Sequence, residues 1–215
     1  KNSENRVQQI FLYSLGQKKS FPVTENWYNS FNGSFSSDSK YLFFVSSRDF
    51  NPDFSNIEAT ISYSNMNGIY FVSLNKDVPS LFNLKSDEVD MTKHEVKAED
   101  TAKNKEAKAP VKIPEPQIDI DGIQGRIVKL PVPASDYFNL NSVDNKLYYQ
   151  RRGKNDEKST LYFYDFDKRE EKNLGQADGY EISANKKKMI LAQSGTYVII
   201  DVPSSEIKLS DKLNL

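Results

Sequence analysis

Arginines at the ends of apolar runs are the residues in this sequence whose type and spacing best suit binding chemistry. Arg151 and Arg152 end one such run, and Arg48 ends the equivalent run earlier in the chain. A guanidinium in this position can grip a peptide carboxylate through two parallel hydrogen bonds. The alternative is a structural charge pair in which Arg151 and Arg152 face Asp156 and Glu157. The residues alone leave both alternatives open.

Residues that could carry out catalysis are scarce. His94 is the only histidine and lies in a charged segment, so we expect it neither to serve a Ser-His-Asp triad nor to bind a metal. Asp119 and Asp121 alternate with isoleucines, which is more typical of a strand with one solvated face than of paired catalytic carboxylates. The sequence has no cysteine, which excludes thiolate chemistry. We therefore expect no catalytic residue, no metal and no cofactor in this chain.

The balance of charges and the length limit the classes of partner. The 215 residues carry 29 Lys and Arg against 30 Asp and Glu, a net charge of −1. A nucleic-acid-binding protein usually shows a clear basic excess, so we expect no nucleic-acid partner. No apolar run approaches the ~20 residues of a membrane span. The first residues, Lys-Asn-Ser-Glu-Asn, do not resemble a signal peptide and lack a methionine, so we expect an excised or processed piece.

The distribution of aromatic residues predicts strands. The 12 tyrosines and 13 phenylalanines occur in short clusters rather than at helical spacing, and such clusters favour a pleated surface. Residues 84–117 contain no aromatic residue and are mostly Lys, Glu, Asp, Ala and Pro. This composition predicts a solvated, mobile insertion. A partner-binding segment or a transient helix is the alternative.

Two patterns recur along the chain. The first is a strand-like run with an early aromatic residue, at 10–15, 69–74, 161–166 and 196–201, with candidate second strands at 21–23, 126–130 and 207–209. The second is a hairpin, Phe-Ser-Ser-Asp-Ser-Lys-Tyr-Leu-Phe-Phe at 35–44, repeated as Leu-Asn-Ser-Val-Asp-Asn-Lys-Leu-Tyr-Tyr at 140–149 and more weakly at 182–191. In its turn, Asp or Asn can accept a hydrogen bond from the backbone two residues on. The continuous apolar run that follows predicts a strand buried on both faces.

A repeat of about 40 residues containing short strands is the signature of β-propeller blades. The sequence therefore predicts an all-β chain of about three and a half four-stranded antiparallel blades in an incomplete ring. A sandwich-like stack of sheets is the alternative. Trp27 and Tyr28, on a connection between blades, are expected to pack between them. The expected division is an outer hairpin of a preceding blade at 9–24, a blade at 33–132 with insertions at 49–67 and 84–117, a blade at 137–174 and a blade at 179–209.

The hairpin at 35–44 resembles a WD40-like propeller repeat with the consensus Trp/Phe-Ser-Pro-Asp-Gly-Lys-x-Leu-x-Phe, although Ser37 and Ser39 replace its Pro and Gly. Three further segments look like the C-terminal part of the second β-propeller of tricorn-like serine proteases. They are Val-Ser-Ser-Arg-Asp-Phe-Asn-Pro-Asp-Phe-Ser at 45–55, Ile-Tyr-Phe-Val-Ser-Leu at 69–74 with the residues up to 82, and Ile-Asp-Ile-Asp-Gly-Ile-Gln-Gly-Arg at 118–126 with the residues up to 133. The end of the chain, 207–215, resembles that family's exit from the propeller.

This resemblance implies a role without catalysis. Tricorn-like enzymes are serine peptidases that degrade oligopeptides, and their propellers guide and dock peptides while the catalytic residues lie in a later core, here beyond residue 215. The implied partners are oligopeptide substrates, the PDZ-like and catalytic domains of a parent chain, and a further copy in a homo-oligomer. The implied compartment is the cytoplasm, with the periplasm as the alternative. One rival is a stand-alone propeller module that binds a protein or a cell-envelope partner. A third reading, a hydrolase with its site in the propeller funnel, is disfavoured because no histidine is well placed.

Overall fold

The computed structural model describes residues 6–49, 52–54, 61–63, 65–83 and 117–207, with the backbone alone described at 52–54 and 61–63. These residues form antiparallel sheets and a single 3-10 turn at Ile123–Arg126, so the predicted all-β class is confirmed. The strands are β1 (Phe11–Ser14), β2 (Lys19–Pro22), β3 (Ser30–Phe35), β4 (Tyr41–Ser46), β5 (Pro52–Phe54), β6 (Ile61–Tyr63), β7 (Gly68–Ser73), β8 (Ile127–Lys129), β9 (Asp136–Val143), β10 (Lys146–Arg152), β11 (Thr160–Asp165), β12 (Glu170–Gln176), β13 (Gly179–Ile182), β14 (Lys188–Gln193) and β15 (Thr196–Asp201).

Neighbouring strands along the chain pair with each other in small sheets. We call β1–β2 the opening hairpin, β3-β4-β7-β8 the first sheet, β9-β10-β11-β12 the second sheet and β13-β14-β15 the third sheet. The strands β5 and β6 form a separate hairpin within the connection from β4 to β7, where the sequence predicts an insertion. Such short, sequential antiparallel pairings are what propeller blades require.

The repeated hairpin turns are made by the residues that the sequence singles out. The Asp38 carboxylate accepts a hydrogen bond from the Lys40 backbone N–H at 3.2 Å, and Asn185 does the same for Lys187 at 3.1 Å. Ser39 has a φ of +59° and lies where the repeat has glycine. The turn therefore keeps its shape without glycine, at the energetic cost of a left-handed serine.

The core lies between the sheets, because alternate residues of each central strand face opposite neighbours. Leu147 and Tyr149 of β10 pack against the first sheet, while Tyr148 between them packs against the third. In the same way, Phe44 of β4 faces the opening hairpin and Phe43 faces the second sheet. These strands are buried on both faces, as the continuous apolar runs predict.

The stack is open at both ends. Phe11 and Tyr13 are exposed on the opening hairpin, and Ile190, Tyr197 and Ile199 are exposed on the third sheet. The described sheets therefore do not close into a ring.

Arg126 bonds to both sides of the connection from β7 to β8, the connection that contains residues 84–116. Its Nε donates to the Ser73 carbonyl at 2.9 Å, at the end of β7, and its Nη1 donates to the Asp121 carbonyl at 2.9 Å. On the outgoing side, the Phe82 ring packs between the first and second sheets, against Phe71 and Tyr164. The base of this connection is thus fixed by blade residues.

Two local predictions are wrong. Trp27 is 77% exposed and Tyr28 is also exposed, because the adjoining residues Val23 and Thr24 fill the buried position between the opening hairpin and the first sheet. The stretch around Asp119 is not a regular strand. Its isoleucines do point inward, and the Asp119 carboxylate accepts a hydrogen bond from the Lys76 backbone N–H at 3.1 Å.

Several predictions fall outside the described residues. These include His94, the character of 84–116 and the exit segment from 208 onward. Of the outer strand predicted at 207–209, only Ile207 is described. Its backbone N–H donates to the Leu174 carbonyl of β12 at 2.9 Å, and it is not part of a strand.

Candidate functional site

The candidate arginines lie at one end of the first and second sheets, where β4 and β10 finish. Arg152 pairs with Asp136 of β9, and Arg48 follows β4 by two residues. Asn67 links these two strand ends, since its amide nitrogen donates to the Asp136 carboxylate at 3.0 Å and its carbonyl accepts from Ser135. The Ser47 hydroxyl, just after β4, donates to the Asn67 side-chain carbonyl at 2.6 Å, so the strand ends that carry Arg48 and Arg152 lie close together.

Arg151 is fully engaged inside the second sheet. Its Nη1 donates to both Glu171 carboxylate oxygens, at 2.8 and 2.9 Å, and its guanidinium lies 4.0 Å from the centre of the Tyr162 ring. The buried Tyr149 hydroxyl donates to the same carboxylate at 2.5 Å. Burial lowers the pKa of Arg151, but the Glu171 charge together with the interactions with Tyr162 and Tyr137 outweighs it, so the net pKa is raised.

Glu171 is the partner that sequence reasoning missed. The structure places the Arg151 charge pair with Glu171, 20 positions along the chain, and not with Asp156 or Glu157. Asp156 instead accepts a hydrogen bond from the Gly153 backbone N–H at 2.8 Å. β10 and β12 flank β11, so long side chains on the same face of the sheet can meet across β11 irrespective of sequence distance. The available signal was therefore the alternation along β12 rather than proximity in the chain.

Arg152 is the most open of the three candidates. Its side chain is exposed, with the guanidinium 5.7 Å from the centre of the Phe138 ring. A guanidinium within about 6 Å of a ring centre is attracted to the aromatic face. This arrangement can bind a carboxylate that approaches from solvent.

Arg48 is partly buried between two tyrosines. Its guanidinium lies 5.8 Å from the Tyr28 ring centre and 5.5 Å from the Tyr70 ring centre, and its buried Nε has no hydrogen-bond partner among the described residues. Burial and the Asp49 charge raise the pKa of Tyr70 to about 12. The Arg48 side chain is thus held in place by contacts with two tyrosine rings.

The opposite end of the sheets carries a polar cleft of about 500 Å³ between the first and second sheets. Its walls include Asp38, Asp144, Asp165 and Lys146. The Asp165 carboxylate is already used, since it accepts from the Asp167 and Lys168 backbone N–H groups at 3.0 and 3.1 Å. Within the described residues, no group of three His, Cys, Asp or Glu side chains is arranged to hold a metal ion.

No helix among the described residues is long and apolar enough to cross a membrane.

Comparison with known proteins gives consistent matches along the chain. Residues 1–203 match the family model described as the tricorn protease second beta propeller domain. The chain is 23% identical over 208 residues to tricorn protease homolog 1 of Streptomyces coelicolor, covering 90% of this chain and 19% of that protein. The crystal structure of the tricorn protease superposes with a TM-score of 0.71 at 16% identity, covering 94% of this chain and 19% of that one.

The structural match confirms the predicted fold, an open series of β-propeller blades. The chain spans about a fifth of the length of the two proteins that it resembles.

Proposed function

Because the chain belongs to the family of tricorn protease second β-propeller domains, we propose that it is the non-catalytic propeller portion of a serine peptidase that degrades oligopeptides. The match over residues 1–203 carries this proposal, since it extends across nearly the whole chain. In this role the chain guides or docks peptides and packs on the PDZ-like and catalytic domains of a longer protein. The cytoplasm is the proposed compartment, with the periplasm as the alternative.

The exposed ends of the stack support a larger assembly. Apolar side chains in a blade face are normally covered by the next blade, and an uncovered face invites aggregation. The opening hairpin is consistent with the outer half of a blade whose inner strands lie upstream. We also propose that the blades span residues 33–132, 137–174 and 179–209, one for each of the first, second and third sheets.

Arg48 and Arg152 are the proposed peptide contacts. Both lie at the same end of their sheets, each guanidinium lies within about 6 Å of an aromatic ring centre, and a guanidinium can bind a carboxylate through two parallel hydrogen bonds. Arg151, the third candidate, is proposed to act indirectly by holding the end of β10, because its Nη1 is committed to Glu171.

The test is peptide hydrolysis by the full-length protein that contains this chain. Arg48→Ala with Arg152→Ala is expected to raise KM for oligopeptides with a free C-terminal carboxylate and to leave kcat unchanged. The matched control is Lys168→Ala, an exposed cation at the other end of the sheets, which should leave KM unchanged. Equal kinetics for the double variant and wild type would refute the peptide contacts.

A stand-alone module that binds a protein or cell-envelope partner is the second candidate. The exposed aromatic side chains of Trp27, Phe11 and Tyr13 favour it, because these rings are available to a partner. The two candidates differ in the size of the native protein, which for the peptidase is about five times the length of this chain, because this chain covers 19% of the relative.

A further inference from the structure

The inner edges of the sheets carry a repeated feature that the sequence patterns did not capture. The strands β3 and β9 each begin a sheet, so one edge of each is not paired with another strand of that sheet. They lie beside each other, because the Ser37 backbone N–H donates to the Ser142 hydroxyl at 3.1 Å just beyond β3. In a series of blades these edges line the central axis.

Both strands contain a β-bulge at the same register. In β3, Asn32 and Gly33 together stand opposite Phe44, between the pairs Phe31–Val45 and Ser34–Phe43. In β9, two residues beginning with Asn139 stand opposite Tyr149 in the same way. The dipeptide Phe-Asn marks both positions, at 31–32 and 138–139.

An asparagine with left-handed backbone is present at each bulge. The φ angles of Asn32 and Asn139 are +53° and +51°. Asparagine is among the few non-glycine residues that tolerate this region. A bulge of this kind breaks the regular spacing of N–H and C=O groups along the edge, so an added strand cannot pair with it continuously.

The third inner strand, β13, has no bulge, but its edge is occupied in another way. The Asn139 amide donates to the Tyr180 carbonyl of β13 at 2.6 Å, and the buried Tyr180 hydroxyl donates back to the Asn139 carbonyl. The Asn141 amide holds the Asn139 side chain in place at 3.0 Å. One backbone carbonyl of β9 and one of β13, those of Asn139 and Tyr180, therefore already accept hydrogen bonds.

We propose that the inner edges of the three sheets are closed to strand addition, and that Asn32 and Asn139 are the specificity-determining residues that close them. This inference rests on the proposed function, in which peptides are the substrates. Extended peptides bind exposed sheet edges through main-chain hydrogen bonds. If the inner edges cannot form such main-chain hydrogen bonds, a peptide can pass them or contact their side chains without binding as an additional strand.

The outer edge of β15 provides a contrast within the same molecule. It ends the third sheet and has no positive φ between Thr196 and Asp201. Among the described residues no strand pairs with this edge, since Ile207 bonds to β12 instead. Because this six-residue edge carries no bulge, it should accept an extended peptide where β3 and β9 do not.

The experiment uses a fluorescein-labelled ten-residue peptide of alternating valine and threonine with lysine ends as the probe. Deleting Asn32 restores one-to-one pairing between β3 and β4, whereas Asn32→Gly keeps the bulge and is the control. We expect the deletion variant to bind the probe about tenfold more tightly than wild type by fluorescence anisotropy, because it opens a continuous edge. The control should match wild type. A folded deletion variant without tighter binding would overturn the proposal.

Amide hydrogen exchange of the wild-type chain in the presence of the probe tests whether the inner edges bind it, even if the deletion variant does not fold. The proposal predicts no added protection at residues 31–34 or 138–141, with any protection confined to edges such as β15. Protection at either bulge would overturn it. Neither measurement uses peptide cleavage, so a failure of the peptidase role would be seen separately.

Discussion

Two cross-strand pairs in equivalent positions show what a neighbouring sheet does for this chain. Tyr148 of β10 pairs with Phe163 of β11, and the two side chains are 2% and 1% exposed under the third sheet. Ile190 of β14 pairs with Ile199 of β15 at the same position in the third sheet, and they are 38% and 56% exposed. The two pairs occupy the same position in their sheets, so the difference in exposure comes from whether a further sheet packs on them. The outer face of the third sheet therefore has the character of an interface whose second sheet is not present among the described residues.

The largest expected change in stability comes from truncating one residue of each of these two pairs. Phe163→Ala should lower the free energy of unfolding by about 3–5 kcal/mol, because it leaves a cavity between packed sheets. In the isolated 215-residue chain, Ile199→Ala should change it by no more than about 0.5 kcal/mol, since this side chain is 56% exposed there. Urea denaturation of both variants measures the difference. Similar losses in the two variants would mean that the face of the third sheet is not open.

The strands and the hairpin turns were predictable from the sequence. Each depends on residues close together in the chain, such as Asp38 and Lys40 in the first turn. The exposure of Trp27 was not predictable in this way. A connection can pass between sheets or over their ends, and here Val23 takes the buried position instead.

The candidate site was predictable only in part. The strand-end positions of Arg48 and Arg152 follow from the apolar runs that precede them. The pairing of Arg151 with Glu171 depends on the register of β10, β11 and β12, which short-range patterns do not specify. The bulges at Asn32 and Asn139 also depend on register, and only the repeated Phe-Asn dipeptide hints at them.

A second prediction compares ion pairs in the covered and open sheets. Glu171→Gln removes the charge that faces Arg151 under the first sheet and should cost about 2 kcal/mol, because a partly buried guanidinium loses its partner. Lys188→Ala breaks the exposed pair with Asp201 in the third sheet, where the atoms are 2.8 Å apart. It should cost no more than about 0.5 kcal/mol. Thermal and urea unfolding check both values, and equal effects would contradict the comparison.

A third prediction concerns alkaline pH. Burial, and then the charges of Asp144 and Asp165, raise the pKa of Tyr148 to about 12. In the unfolded chain a tyrosine ionises near pH ~10. The free energy of unfolding should therefore be unaffected by this group below pH ~10 and fall as the pH rises towards 12.

Tyr148→Phe gives the control for that measurement. It should flatten the fall in unfolding free energy above pH ~10, because the variant has no hydroxyl to ionise at this position. Urea midpoints between pH 8 and 11 follow the effect. A variant with the same pH slope as wild type would show that the burial of Tyr148 does not govern alkaline stability.

The smallest expected effect lies in the turns, which are independent of whether a face is covered. Ser39→Gly should stabilise the chain by about 0.5 kcal/mol, because glycine adopts the left-handed conformation without steric cost while losing more entropy on folding. Lys186, with a φ of +56° in the third sheet, provides the matched substitution Lys186→Gly. A destabilised Ser39→Gly variant would indicate that the serine side chain matters more than its backbone.

The central claim is that the open face of the third sheet belongs to a longer protein that covers it. The most direct measurement is the intact mass of the native protein, isolated from its own cells with an antibody against this segment. The account predicts a species several times heavier than the 24.6 kDa of this chain. A native species near 24.6 kDa would contradict it and point to a self-contained binding module.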